Sequence, residues 1–219
     1  MGKFTDYIGK YWAGAEVMYA AIIAMTFTSV LWNVEFAPDF IKENIVQTAL
    51  ACCIAWGVAD GCFYIWERKY LMRQEKHIIA MAKEDGRKQE AMEQVRSQLD
   101  DTVLRNVEPS KREKLYQALV SELAGVSEVE GLDRGWALKI ISGTILLSAL
   151  AGVVILSPIY FLEPLSTAIM VSNVMGILLL FAVGFNRGRG RTLPVRLVGA
   201  AAAATLGLII ALITTYLGG

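Results

Sequence analysis

The stretch ACCIAWGVADGCFYIWE, from Ala51 to Glu67, decides the fold and contains the main functional candidate. It is the inner part of an apolar run that begins near Ile45, and about 20 apolar residues are enough for a helix to cross a bilayer. Asp60 lies inside this run, and an aspartate at the centre of a membrane helix costs about 2.5–3.5 kcal/mol on an insertion scale. At Glu67 the run ends and a charged segment begins. An acidic membrane residue next to a charged segment suggests a route for a cation or a proton.

Apolar residues make up 55% of the 219-residue chain and are concentrated in blocks of membrane-spanning length. We therefore predict an all-α integral membrane protein with five transmembrane helices, at about residues 13–32, 45–66, 136–156, 165–185 and 197–217. The formal net charge is zero, so no overall field indicates a nucleic-acid partner. The three cysteines, Cys52, Cys53 and Cys62, lie in the second span and lack the spacing of a disulfide framework, so we interpret them as small apolar fillers.

The spans divide the chain into residues 1–66 with spans 1 and 2, a polar helical domain at 67–135, and residues 136–219 with spans 3 to 5. Phe4, Tyr7, Ile8 and Tyr11 follow an i, i+3, i+4, i+7 pattern, which predicts a short amphipathic helix over residues 3–12 that anchors the chain at the membrane surface.

The polar domain has the composition of helices. We predict one helix from Glu67 to about Val107, which Gly86 bends or ends and Pro109 stops. The sequence from Ser110 to Glu113 resembles a capping box that opens another helix, which reaches about Ala124.

Basic residues give the orientation of the spans. Lys and Arg are frequent before span 1, after span 2 and between spans 4 and 5, and with five spans all three places fall on one side of the membrane. The positive-inside rule then places the N-terminus and residues 67–135 in the cytoplasm and the C-terminus outside or in a lumen.

Acidic residues in the membrane form the first candidate site. Glu16 lies a few residues inside the cytoplasmic end of span 1, at a depth comparable to that of Asp60. On span 2, Asp60 and Glu67 share a helix face with Cys53, Trp56 and Tyr64. Two carboxylates that meet between spans 1 and 2 would bind a divalent cation or share a proton. The alternative for Asp60 is a structural hydrogen bond to a neighbouring helix or to an interfacial arginine.

A second candidate site lies in the polar domain, where methionines and carboxylates recur at i, i+3. Carboxylates suit hard cations, and thioethers add a preference for a transition metal such as Fe(II). The alternative is a solvated helix face with methionine as core filler. The candidate ligands are Met72, Glu75, Met81, Glu84, Glu90 and Glu93.

Other polar and small residues in the spans have structural interpretations. Asn173 in span 4 is a candidate for interhelical hydrogen bonding or for lining a path. Gly199, Ala203 and Gly207 form a small-xxx-small ridge for helix packing, within one chain or between two. We expect no enzyme, because the sequence has no phosphate-binding glycine loop, no histidine pair and no Ser/His/Asp set.

The layout, together with EVMYAAIIAMTFT at 16–28 and AWGVADGCFYIWER at 55–68, resembles the vacuolar iron transporter family and its microbial relatives. The resemblance implies a homodimer that exchanges Fe(II) or Mn(II) for protons and holds metal through Glu and Met in a cytoplasmic domain. Family members carry an Asp-Gly motif in span 1, whereas this chain has Asp60-Gly61 in span 2. Its polar domain has one Glu-x-x-Glu pair, Glu90 and Glu93, where the family has a dense acidic array.

From these observations we expect a dimeric, proton-coupled exporter of a divalent metal, with the metal as cargo and no permanently bound cofactor. The alternative is a non-transporting scaffold whose cytoplasmic helices bind a protein partner. A channel for monovalent cations is disfavoured, because no repeated filter loop of backbone carbonyls is present.

Overall fold

The computed structural model describes residues 4–31, 38–127, 131 and 133–217. For residues 4–11 and 38 it describes the backbone only. These residues form helices and connecting turns, and no strand occurs among them. Five of the helices are long and apolar enough to cross a membrane. The all-α class and the five membrane-length helices are therefore confirmed.

Seven helices of more than ten residues organise the described chain. The bounds are α1 Phe4–Val30, α2 Gln47–Lys83, α3 Lys88–Leu99, α4 Pro109–Ala124, α5 Arg134–Leu156, α6 Leu165–Arg187 and α7 Leu193–Leu217. A helical turn at Pro38–Phe40 and a π-helical turn at Ile41–Val46 lead into α2, and Pro158–Phe161 forms a short helix after α5. The backbone of the expected N-terminal amphipathic helix is continuous with α1, and its side chains lie outside the described residues.

The chain divides into two compact units. We call Met1–Tyr64 with Arg134–Gly219 the membrane-length unit, and Ile65–Asp133 the polar unit. These divisions fall within two residues of the predicted ones at 67 and 135. Each unit has its own hydrophobic core.

The core of the membrane-length unit is built around α1, which packs against α5, α6 and α7. Ala20, Ala21 and Ala24 are fully buried on α1, and such small residues let helices approach closely. Met25 fills the space left by glycines on two neighbouring helices, since a Cβ at Gly176 would lie 2.5 Å from the Met25 side chain.

The small-residue ridge of α7 packs within the chain. A Cβ at Gly184 of α6 would come within 2.7 Å of the Gly199 carbonyl and 2.9 Å of the Ala203 Cβ. Gly207 lies opposite Leu180, and a Cβ there would come 2.3 Å from its side chain. The ridge therefore joins α7 to α6.

The polar unit contains the end of α2 together with α3 and α4. Its core includes Ile78, Met92, Val95 and Tyr116, all almost fully buried. α2 ends at Lys83, and a 3₁₀ turn that contains Gly86 separates it from α3, so the glycine marks a helix end rather than a bend. The helix predicted to run to about Val107 is thus interrupted, and α3 stops at Leu99.

The predicted capping box at Ser110 is wrong. Glu108 is the N-cap of α4 and Pro109 is its first residue, a position that suits proline because the N–H there needs no helical acceptor. The Ser110 hydroxyl instead donates a hydrogen bond to Glu108 Oε1 at 2.8 Å. Glu113 is used elsewhere, in an ion pair with Arg96 at 2.6 Å.

Candidate functional site

Glu16 of α1 and Asp60 of α2 form a pair of carboxyl groups inside the membrane-length unit. Glu16 is 0% exposed and Asp60 is 9% exposed. Among the described residues, the Asp60 carboxyl and the Ser148 hydroxyl lie next to the Glu16 carboxyl. Neither carboxyl oxygen of Glu16 has a hydrogen-bond partner among the described residues. The predicted meeting of these two acids therefore occurs in the structure.

Asp60 is held by an aromatic residue that the sequence had not indicated. The indole N–H of Trp12 donates a hydrogen bond to Asp60 Oδ2 at 2.7 Å. The Trp12 ring packs edge-to-face against Tyr64 at a centroid distance of 4.8 Å, and Tyr64 lies 6.0 Å from the ring of Trp136. These three rings form an aromatic cluster that packs around the hydrogen-bond donor of Asp60.

α2 packs closely against α5 at two glycines, Gly57 and Gly61, that lie on either side of Asp60 in the sequence. A Cβ at Gly57 would lie 2.8 Å from the Ile145 Cα, and a Cβ at Gly61 would lie 2.6 Å from the Thr144 hydroxyl. Both positions therefore require glycine for the two backbones to approach this closely.

Two hydroxyls of α5 hydrogen-bond across this contact. Thr144 donates to the carbonyl of Gly57 at 2.8 Å, and Ser148 donates to the carbonyl of Cys53 at 2.6 Å. Because the only proton of Ser148 is used in this bond, its oxygen is available to accept from a protonated Glu16 but has no proton to give an ionised one.

The electrostatics of the pair follow from what surrounds it. Among the described residues, neither Glu16 nor Asp60 lies within 4 Å of a basic side chain. An ionised carboxylate that is buried without a partner costs several kcal/mol. Two such charges side by side also repel each other. A buried pair of this kind is therefore favoured when its charge is neutralised, by protons or by a cation.

The residues predicted to share one face of α2 with Asp60 differ in their surroundings. Cys53 is fully buried, and its thiol faces the Ala20 carbonyl at 3.7 Å, in agreement with its interpretation as a small filler. Trp56 is 38% exposed and packs edge-to-face on Tyr19. Glu67 belongs to the polar unit and is exposed.

Asn173 lies in a separate polar cluster between α1 and α6. Its side-chain oxygen accepts hydrogen bonds from Thr28 at 2.7 Å and from Ser29 at 3.3 Å. The hydroxyl of Ser172 next to it is fully buried and has no partner among the described residues. Interhelical hydrogen bonding, one of the two roles predicted for Asn173, is thus present.

The candidate metal ligands of the polar unit lie in different surroundings. Across the described residues, no group of three or more His, Cys, Asp or Glu side chains is arranged to hold a metal ion. Met81 is 2% exposed and belongs to the hydrophobic core, while Met72 is half-buried. Glu93 is exposed.

The other glutamates of this set are paired with arginines. Glu75 lies 3.5 Å from Arg68, and Arg87 lies 3.5 Å from Glu84 and 3.1 Å from Glu90. The contacts of Glu84 and Glu90 raise the pKa of Arg87, chiefly through the hydrogen bond to Glu90. These carboxylates thus already have cationic partners within the chain.

No protein-family model matches the sequence, and a search of curated proteins gives no match either. The resemblance to the vacuolar iron transporter family remains a prediction. The functional argument for this chain therefore starts from the Glu16–Asp60 pair.

Proposed function

We propose that the protein transports a divalent metal ion across a membrane in exchange for protons. In this proposal the Glu16–Asp60 pair binds the metal ion and the protons alternately. The observation that carries the proposal is the fully buried carboxyl of Glu16, which has no hydrogen-bond partner among the described residues and lies beside a second acid. A buried acid pair of this kind costs stability, and a structural role alone would be served better by an amide or an apolar residue.

Charge balance explains how one pair can serve both ions. With two protons the pair is neutral, and with both protons released it carries two negative charges that one divalent cation neutralises. Either state avoids an uncompensated charge in a low-dielectric interior. The oxygen ligands suit Mn(II) and Fe(II), which accept carboxylates.

The direction and assembly of the transporter follow from the sequence. The positive-inside distribution of Lys and Arg favours a cytoplasmic N-terminus and a cytoplasmic polar unit. We propose export from the cytoplasm on the resemblance to the vacuolar iron transporter family. We propose a homodimer on the resemblance alone. The metal-collecting role expected for the polar unit has little support, since its glutamates are paired with arginines and Met81 is in the core.

The proposal is tested by flux into proteoliposomes that contain the full chain. We expect Mn(II) or Fe(II) entry, followed with a metal-sensitive dye inside the vesicles, together with proton movement in the opposite direction. Glu16→Gln and Asp60→Asn should each abolish the flux while the variants remain folded. Ser172→Ala is the matched control, because it alters another buried and unpartnered polar group that cannot carry a charge.

The alternative is a non-transporting scaffold, and the Trp12–Asp60 hydrogen bond is the observation that favours it, since it joins α1 to α2. In that case the wild-type chain would move neither metal nor protons, and Asp60→Asn would lower thermal stability. Absence of wild-type flux for both metals would overturn the transport proposal.

A further inference from the structure

A cleft of about 280 Å³ opens among α1, α6 and α7 and is not part of the carboxyl pair. Its walls combine two guanidinium groups with apolar and small side chains. They include Arg187, Arg191, Met18, Val195, Gly199 and Ala203.

The guanidinium groups of Arg187 and Arg191 form no ion pair with a carboxylate that the structure describes. Among the described residues, no carboxylate lies within 4 Å of Arg187 or Arg191, and the Arg187 guanidinium donates a weak hydrogen bond to the Met18 sulfur at 3.8 Å. Arg196 differs, because it donates to the Phe185 carbonyl at 3.4 Å and stacks on the Phe185 ring at 3.8 Å. The cleft therefore presents two positive charges to an external ligand.

The apolar wall runs along α7. Val195, Gly199 and Ala203 are four residues apart, so they share one helix face and form a strip about 12 Å long at 1.5 Å per residue. Ala203 is 8% exposed and packs against α6, so it closes the inner end of the strip. A Cβ at Gly199 would meet only the Gly184 carbonyl, at 3.6 Å, so the absent side chain leaves room in the middle of the strip.

The position of the cleft fits a lipid. α6 and α7 have 23 and 25 residues and are long and apolar enough to cross a membrane, and the arginines lie at the ends where these helices join. Helices of this length reach slightly beyond a hydrocarbon core of about 30 Å. The arginines are thus expected at headgroup level and the strip at the level of the acyl chains.

We propose that this cleft is a binding site for an anionic phospholipid, whose phosphate lies between Arg187 and Arg191 and whose acyl chain follows the Val195–Gly199–Ala203 strip. Basic pockets between membrane helices bind anionic headgroups in this way. The site is independent of the proposed transport.

The test uses the purified full chain in detergent and measures lipid retention by native mass spectrometry. The probes are phosphatidylglycerol, phosphatidylcholine with the same acyl chains, and inorganic phosphate. We expect phosphatidylglycerol to bind about tenfold or more tightly than phosphatidylcholine, with no detectable binding of inorganic phosphate.

Three variants separate the two parts of the site. Arg187→Gln/Arg191→Gln should weaken phosphatidylglycerol binding by about tenfold or more through loss of charge. Gly199→Leu should weaken it through blockage of the strip, with both arginines retained. Arg189→Gln is the matched control, since Arg189 lies in the same link but does not line the cleft.

Three results would overturn the proposal. Equal losses in the Arg189→Gln control and the double variant would indicate general attraction to the link. Normal lipid binding by folded Gly199→Leu would remove the strip from the site. Binding of inorganic phosphate as strong as that of phosphatidylglycerol would indicate a phosphate site without a lipid.

Discussion

Glu90 in the polar unit is exposed and lies 3.1 Å from the Arg87 guanidinium, whereas Glu16 in the membrane-length unit is fully buried and forms no ion pair with a basic side chain that the structure describes. The same contrast separates Asp100 from Asp60. Asp100 accepts hydrogen bonds from Arg112 at 3.2 Å and from Tyr116 at 2.6 Å, and Asp60 accepts one from the neutral indole of Trp12.

The difference shows which acids have their charge compensated by the chain itself. Exposed ion pairs such as Arg87–Glu90 contribute little to stability. Their two charges neutralise each other, so they do not require an external ion. The charged form of the Glu16–Asp60 pair would be stabilised by an external cation, because a buried carboxylate without a cationic partner is costly. Acidic residues in the polar unit are more numerous, yet the buried acids Glu16 and Asp60 are the stronger functional candidates.

The largest effect after loss of the carboxyls themselves is expected for Trp12→Phe, which removes the hydrogen bond to Asp60 and keeps an aromatic ring against Tyr64. A hydrogen bond to a charged group is worth enough to change a rate by about tenfold or more. We expect initial Mn(II) flux in proteoliposomes to fall by about this factor.

The control for Trp12→Phe is Trp56→Phe, at an indole that packs edge-to-face on Tyr19 and is 38% exposed. Its flux should equal that of the wild type. Equal losses in both variants would mean that aromatic packing matters, rather than the bond to Asp60.

How far the site could be predicted depends on the kind of information it requires. Glu16 and Asp60 were found from the sequence because an acid within an apolar run is visible there and its depth can be counted in residues. Trp12 and Ser148 were missed, since an aromatic residue near a membrane interface and a serine in a span are common. Two spacings in the sequence were available as signals, because residues four apart share a helix face. Trp12 lies four residues before Glu16, and Thr144, Ser148 and Gly152 follow one another at intervals of four on α5.

A smaller effect is expected for Tyr116→Phe in the polar unit. Burial, together with the hydrogen bond to Asp100, raises the pKa of the Tyr116 phenol, so its folded form favours the protonated state. Its contribution is fully present below the ordinary tyrosine pKa of about 10 and is lost as pH rises through the higher folded value. We expect the variant to melt a few degrees lower at pH 8, with a smaller difference near pH 11, as followed by circular dichroism.

The matched control for this variant is Tyr70→Phe, at an exposed tyrosine whose hydroxyl accepts from Gln74 at 2.8 Å. It should melt as the wild type does at both pH values. A Tyr116→Phe difference that stays constant from pH 8 to pH 11 would contradict a role for the protonated phenol.

The polar unit was predicted correctly as helical, whereas the packing and ion pairs of its methionines and glutamates could not be predicted. Composition identifies helix formers, and Gly86 and Pro109 mark two of the boundaries. The i, i+3 spacing of Met and Glu could not show that Met81 faces the core, or that Arg87 lies between Glu84 and Glu90. Both facts depend on how α2, α3 and α4 pack, which local spacing does not determine.

The smallest effect is expected for Glu90→Ala/Glu93→Ala. Because Glu90 is in an exposed ion pair and Glu93 is exposed, the melting temperature should change by less than about 2 °C.

Metal bound at the Glu16–Asp60 pair stabilises the folded chain by RT ln(1 + [L]/Kd) whether or not these two glutamates are present. The rise in melting temperature with Mn(II) or Fe(II) should therefore persist in this double variant and disappear in Glu16→Gln, with Mg(II) and Ca(II) as comparison ions. If the double variant instead loses the rise and Glu16→Gln keeps it, the carboxylates of the polar unit bind the metal, and the contrast between the two units is reversed.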